Sequence, residues 1–257
     1  MITSTTNDRV KWVRSLQARR RTRETERAFV AEGTRWAQEL LKAQFAPQYI
    51  FHTEPIDSED ETILQSLTVM GAELIPVSEQ VMAAMSDTES PQGLLMVAPF
   101  PQLDLPTEPS FLVAVDQLAD PGNLGTLLRT SLAAGVEGLV LTPGTVDPFN
   151  PKVVRGAMGA QLHLPLKWAE PSELKTALAG LPLWLAETNQ GPAYTQVDWQ
   201  PPCALLIGSE AHGARAKLAE LADQVTHIPM EGPSDSLNAA VAAAVILFEI
   251  RRQRGNA

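Results

Sequence analysis

Phe111-Leu112-Val113-Ala114-Val115-Asp116-Gln117-Leu118-Ala119-Asp120-Pro121-Gly122-Asn123-Leu124-Gly125 runs on to Arg129, and its reading decides the fold. Five consecutive apolar residues bounded by turn chemistry read as a strand buried on both faces, which needs helices above and below it. Asp120-Pro121-Gly122-Asn123 then turns the chain, with Asn123 competent as the N-cap of a helical stretch through Ala134. Gly125 lets another backbone or a ligand come close. Arg129 follows four residues later on the same helical face. Among Leu124, Leu127, Leu128 and Leu132 it calls for an anionic partner, either a phosphate or the carboxylate of a structural salt bridge.

Outward from this segment the same rhythm repeats. Residues 138–141, 183–186, 204–207 and 225–228 are short apolar runs separated by helical patterns, the mark of a parallel α/β sheet. The chain closes on a helix from Ser236 to about Arg254, with Leu237, Val241, Ala244, Leu247 and Phe248 at three- and four-residue spacings. Upstream, the four prolines of residues 98–110 exclude a regular interior element and mark a linker. Before it, strand-like runs at 28–31, 48–51, 73–77 and 93–97 alternate with helical stretches near 34–44, 59–70 and 78–86. The expected division is a smaller α/β domain over 1–98, a linker over 99–110, and a second α/β domain over 111–257.

Two more strand-end loops stand out. Gly208-Ser209-Glu210-Ala211-His212-Gly213 follows a buried strand at the end of an α/β sheet where ligands bind, and its two glycines suggest a backbone that wraps something. Glu210 reads more readily as a solvated loop charge, and His212 as an exposed loop histidine before a general base. Ile228-Pro229-Met230 leads to Ser234-Asp235-Ser236-Leu237-Asn238. Capping accounts for any one of the three residues 234–236. It does not require Asn238, nor the apolar pair Ile228 and Met230, which suits a flat heteroaromatic ring. Glycine-rich dinucleotide and phosphate loops, Cys/His metal clusters and a nucleophile elbow have no match, so no metal is expected.

The net charge of −10 is unevenly spread. Residues 1–50 carry ten Lys/Arg against five Asp/Glu, whereas residues 51–110 carry eleven acidic groups and no Lys or Arg. With a screening length of about 8 Å at physiological salt, a local basic face attracts phosphates on a globally acidic protein. Arg9, Lys11, Arg19, Arg20, Arg21 and Arg23 are the candidates for that face. The lone Cys203 lies in an apolar run and reads as a reduced core position. With no apolar leader-like run and none as long as a membrane span, a cytoplasmic protein is the expectation.

Together, in order and spacing, the three strand-end segments resemble the three motifs of the SpoU (TrmH-like) RNA ribose 2′-O-methyltransferases of the SPOUT superfamily, in the style of the branch acting on large-subunit ribosomal RNA. Residues 111–254 resemble its catalytic domain. Ile2-Thr3-Ser4, Asn7, Arg9-Val10-Lys11, Arg19-Arg20-Arg21 and Phe29-Val30-Ala31-Glu32-Gly33 are similar to its N-terminal substrate-binding domain. The resemblance implies a parallel sheet with a deep trefoil knot, a topology that periodicity never suggests because knots are nearly absent from protein folds. It also implies bound S-adenosyl-L-methionine (AdoMet), a homodimer, and RNA as the partner, ribosomal first and tRNA as the alternative, with no membrane or DNA role. A non-catalytic RNA-binding assembly factor of the same fold is the other reading.

Carried over by position, Gly208, Ile228, Met230 and Leu237 lie where the family holds its cofactor. Asn123, Arg129, Glu210, Ser236 and Asn238 match its polar motif residues. Ser209 stands where many relatives have Asn. An arginine stays protonated in proteins, with a pKa above about 12, so Arg129 reads as a phosphate clamp and alkoxide stabiliser rather than as a base. The ribose proton then leaves to phosphate, water, Ser236 or Glu210.

Overall fold

The computed structural model of the protein describes residues 1–56, 58–209, 213–231 and 236–255. In chain order the first elements are α1 (Asp8–Ala18), α2 (Arg20–Glu26), β1 (Ala28–Glu32), α3 (Thr34–Lys42), β2 (Tyr49–His52), α4 (Ser58–Val69), β3 (Glu73–Pro76), α5 (Glu79–Met85) and β4 (Leu94–Pro99). After a stretch without regular structure come β5 (Phe111–Val115), α6 (Pro121–Ala134), β6 (Leu139–Leu141), α7 (Pro151–Ala157), β7 (Leu166–Trp168) and α8 (Leu174–Ala177). The last elements are β8 (Leu183–Ala186), β9 (Cys203–Ile207), α9 (Ala216–Ala219), β10 (Gln224–Thr226) and α10 (Ala239–Arg254).

Two compact units result: Met1–Pro101 with Asp147–Leu162, and Gln102–Val146 with His163–Ala257. The division expected from the sequence is continuous, whereas the structure groups 147–162 with the first unit. Packing explains it. Val154 and Leu162 join the apolar cluster around Phe29, and Phe149 stacks on Phe100 with ring centroids 4.0 Å apart.

In the first unit the strand order is β1-β4-β2-β3, with β4 antiparallel to both neighbours and β2 parallel to β3. Alternation along β1 sets the layers. Phe29 and Ala31 meet Trp36 and Leu40 of α3, while Ala28 and Val30 meet Val10, Val13 and Leu16 of α1. The sequence reading treats the opening residues only as a basic segment. They form two helices, and α1 buries just its three-residue-spaced apolar positions.

One buried charge stands out in this unit. Arg23, expected on the RNA-facing surface, is only 3% exposed. Its guanidinium pairs with Asp147 at 2.6 Å and donates to the Leu16 carbonyl at 2.6 Å. Its role is structural.

In the second unit six strands lie parallel in the order β10-β8-β9-β5-β6-β7. β5 and β9 are buried along their whole length and form the centre, with Cys203 in the core as expected. Helix α10 packs on α6. β7 was not anticipated: Leu166-Lys167-Trp168 is a half-exposed edge strand and lacks a continuous apolar run. Because β9 sits between β5 and β8, the strand order reverses there, and crevices at such carboxyl ends are where open α/β sheets bind ligands.

Candidate active site

The site is built at the carboxyl ends of β5, β8, β9 and β10. β5 ends in Asp116, which is fully buried. A buried carboxylate is costly unless paired and hydrogen-bonded, and here it is both. Arg215 donates to it from its backbone N at 2.8 Å and from Nη2 at 2.6 Å, and Thr142 Oγ1 donates at 2.6 Å. Burial alone raises the Asp116 pKa, but the bonds from Arg215 and Thr142 outweigh it and hold the carboxyl below its usual range. The sequence reading gave Asp116 no role. Its signal was there: an acid closing an apolar strand needs a partner. This cluster ties β5 and β6 to the backbone just beyond the 208–213 loop.

Asp120, rather than Asn123, caps α6, accepting from the Asn123 N–H at 2.9 Å. The Asn123 side chain therefore does not serve as the cap. Its Oδ1 accepts from Asn238 Nδ2 at 2.8 Å. Asn238 is itself the cap of α10, its Oδ1 accepting from Ala240 and Val241 N–H at 3.0 and 3.2 Å. The terminal helix thus starts at Ala239, not at Ser236, and the residue that capping did not seem to require is the one that caps.

Arg129 projects from the exposed side of α6, whereas Gly125 is buried. The helix is amphipathic, so Arg129 needs no partner on grounds of burial. Among the described residues it has no ion pair, and the salt-bridge alternative finds no acid. Glu210 and His212 lie outside the described residues.

Gly208 and Gly213 wrap each other. Ser209 N donates to Gly213 O at 2.9 Å and Gly213 N to Ser209 O at 3.0 Å. A Cβ on Gly208 would lie 2.2 Å from the Ala214 nitrogen, and Gly213 holds a left-handed φ of +67°. The glycines are needed for the loop's closure upon itself.

A cavity of about 470 Å³ opens where these loops meet the first turns of α10. Gly208, Ile228, Met230 and Leu237, the expected cofactor residues, all line it, and so does Ser236. Its apolar wall is completed by Ile207, Ala242 and Ile246, and its polar side by Glu187, Thr188 and His227. An apolar slot with a few polar groups suits a nucleoside-sized ligand, and these residues fit AdoMet. Asn123, Arg129 and Asn238 lie outside the lining. Glu187 and Thr188 escaped the sequence reading because β8 ends in no glycine or proline pattern. Among the described residues no cluster has the make-up of a metal site.

The profile of the SpoU rRNA Methylase family matches residues 110–248, and that of an MRM3-like substrate binding domain matches residues 7–96. The chain is 34% identical over 254 residues to the 23S rRNA (guanosine(2553)-2′-O)-methyltransferase RlmP of Bacillus subtilis, covering 97% of this chain and 98% of the relative. Its fold matches an AdoMet-bound rRNA methyltransferase from Sinorhizobium meliloti with a TM-score of 0.87 at 29% identity, over 98% of this chain and 97% of the other. The SpoU methyltransferase AviRb of Streptomyces viridochromogenes, in complex with AdoMet, matches with a TM-score of 0.88 at 25% identity, over 96% and 98%.

Proposed function

The chain belongs to the SpoU rRNA methylase family, and on that premise we propose how its residues divide the work of an AdoMet-dependent ribosomal-RNA ribose 2′-O-methyltransferase. The observation that carries this reading is the cavity at the strand ends, lined by Gly208, Ile228, Met230 and Leu237. AdoMet, when bound, supplies an electrophilic methyl group. Ile228, Met230 and Leu237 would hold its flat ring, with Gly208 and Gly213 lining the same cavity.

Arg129 clamps the RNA phosphate and stabilises negative charge forming on the ribose oxygen. The Asn123–Asn238 pair sets the position of α6, which carries Arg129, against the start of α10. Ser236, at the cavity wall, passes on the ribose proton, with Glu210, which lies outside the described residues, as the other acceptor. Positioning dominates, because the methyl group must be approached in line.

RNA docking falls to the domain of residues 1–98, with 99–110 as its linker to the catalytic domain of 111–257. Arg19 and Arg21 are exposed and without ion pairs among the described residues. Arg9, Lys11 and Arg20 sit in exposed pairs with Glu73, Asp8 and Glu24 that phosphates can replace. The parallel sheet with β9 threaded between β5 and β8 suits the family's trefoil knot. Val241 and Phe248 of α10 and Leu132 of α6 are 47%, 50% and 37% exposed, an apolar face that a second copy of the chain would cover to form a homodimer. No helix among the described residues is long and apolar enough to cross a membrane, and we assign the protein to the cytoplasm, where its RNA is.

The test is calorimetric binding of AdoMet, with mapping of 2′-O-methyl groups in ribosomal and transfer RNA from cells with and without the gene. One ribosomal position should lose its methyl group. An unchanged ribosomal map, or loss at a tRNA position alone, would overturn the assignment.

A further inference from the structure

Among the described residues that line the cavity, Glu187 is the one carboxylate, and no Lys or Arg stands with it. It follows the last residue of β8, and its backbone N–H donates to Thr226 O at 3.0 Å. Among the described residues its side chain has no hydrogen bond or ion pair. The absence of a side chain at residue 213 makes room for it: a Cβ there would lie 3.1 Å from Glu187 Oε1. A half-buried carboxylate with no partner among the described residues, facing a ligand cavity, is an acceptor held for the ligand.

We propose that Glu187 makes the cavity prefer the sulfonium form of the cofactor over the neutral thioether left after methyl transfer. This rests on the assignment of the cavity to AdoMet. The charge argument needs no particular pose. A compact cavity of about 470 Å³ is roughly 10 Å across, so a sulfonium inside it lies at a distance from the carboxylate comparable to or shorter than the screening length of about 8–10 Å. AdoMet and S-adenosylhomocysteine share adenine, ribose and amino-acid groups. They differ by one methyl and one positive charge. Contacts of Glu187 with a ribose hydroxyl or the ammonium group would therefore favour both forms alike, and only attraction to the sulfonium separates them. The benefit is directional: spent cofactor leaves more readily than fresh cofactor.

Calorimetric titration of the full chain with each compound, without RNA, tests this apart from turnover. Glu187→Gln should weaken AdoMet by about tenfold and S-adenosylhomocysteine by less than about twofold. Glu187→Asp, which keeps the charge, should keep most of the preference. In the parent, the preference should shrink as salt rises from about 50 to 500 mM, as screening of a partly exposed charge requires. Equal weakening of both compounds would overturn the proposal in favour of a contact common to both. Unchanged affinities would overturn it outright. A parent that binds neither compound would instead remove the cavity assignment on which the proposal rests.

Discussion

Asn238 Nδ2 donates to Asn123 Oδ1 at 2.8 Å, joining the cap of α10 to the first turn of α6 across 115 residues of sequence. The Asn238 oxygen is committed to the N–H groups of Ala240 and Val241, so capping itself aims the amide nitrogen at Asn123.

This double use can be split. Asn238→Ser keeps a capping oxygen but is too short to reach Asn123. Stability should stay within about 0.5 kcal/mol of the parent, while single-turnover methyl transfer falls at least about tenfold. Asn238→Ala should lose about 1 kcal/mol as well. A Ser variant as active as the parent would reduce Asn238 to a cap. Urea denaturation and rapid-quench assays of both variants read the two effects separately.

Gly208→Ala should damage the loop before it touches any ligand. Its Cβ meets backbone atoms of Gly213 and Ala214 at 2.2 Å, and backbone cannot swing aside as a side-chain tip can. A loss of about 1–3 kcal/mol is expected, the usual cost of overpacking, together with loss of AdoMet binding. If the variant melts with the parent and lacks only cofactor affinity, the glycine was clearing space for the ligand after all.

Arg129→Lys keeps the charge and loses the planar fork. Single-turnover rate should fall by roughly two to three orders of magnitude, the scale for one preorganised electrostatic contact. AdoMet affinity and melting temperature should hold, since Arg129 is outside the cavity lining and has no ion pair among the described residues. Lowered melting temperature with surviving activity would contradict the phosphate-clamp role.

The arginines of the first unit should separate into two classes. Arg23→Gln strands Asp147 in the interior and should cost about 3–5 kcal/mol. Arg19→Gln with Arg21→Gln should leave folding alone, weaken RNA binding and flatten its salt dependence by about 0.7–0.9 per lost phosphate contact. Equal salt slopes in parent and double variant would mean these two face only water.

The pH dependence of stability tests the Asp116 cluster. Its carboxyl titrates lower in the folded than in the unfolded protein, so the pairing contributes stability fully above the ordinary Asp range and loses it as pH falls below about 3.9. Asp116→Asn should be less stable than the parent at neutral pH, and the gap should close on acidification through that range. A gap that stays constant from pH 6 to pH 3 would deny the ion pair its role.

The strands of both sheets were legible because buried strands write themselves as apolar runs, and β5 and β9 are the plainest cases. β7 was not, since an edge strand shares its surface with water and has no such run. The four residues proposed to hold the cofactor were picked by motif position, and all four line one cavity. Which group caps which helix was beyond reach: Asp120 and Asn123 are equally competent in sequence, and only the folded chain shows that Asp120 takes the cap while Asn123 accepts from Asn238. Arg23 looked like its neighbours Arg20 and Arg21, because the acid that buries it lies 124 residues downstream. Glu187 follows an unremarkable strand, and its isolation is visible only once the walls around it are assembled.

The place of β9 between β5 and β8 has a consequence for the growing chain. A polypeptide halted before Cys203 holds β5, β6 and β7 with one edge open and β8 with no neighbour to lie on. The central joint of the sheet, and with it the cavity, comes into being only when the last quarter of the protein has been synthesised. Pairings of such long sequence separation form slowly. The ribosome therefore releases an enzyme whose first unit can be complete while the strand-end cavity is the last thing to be assembled.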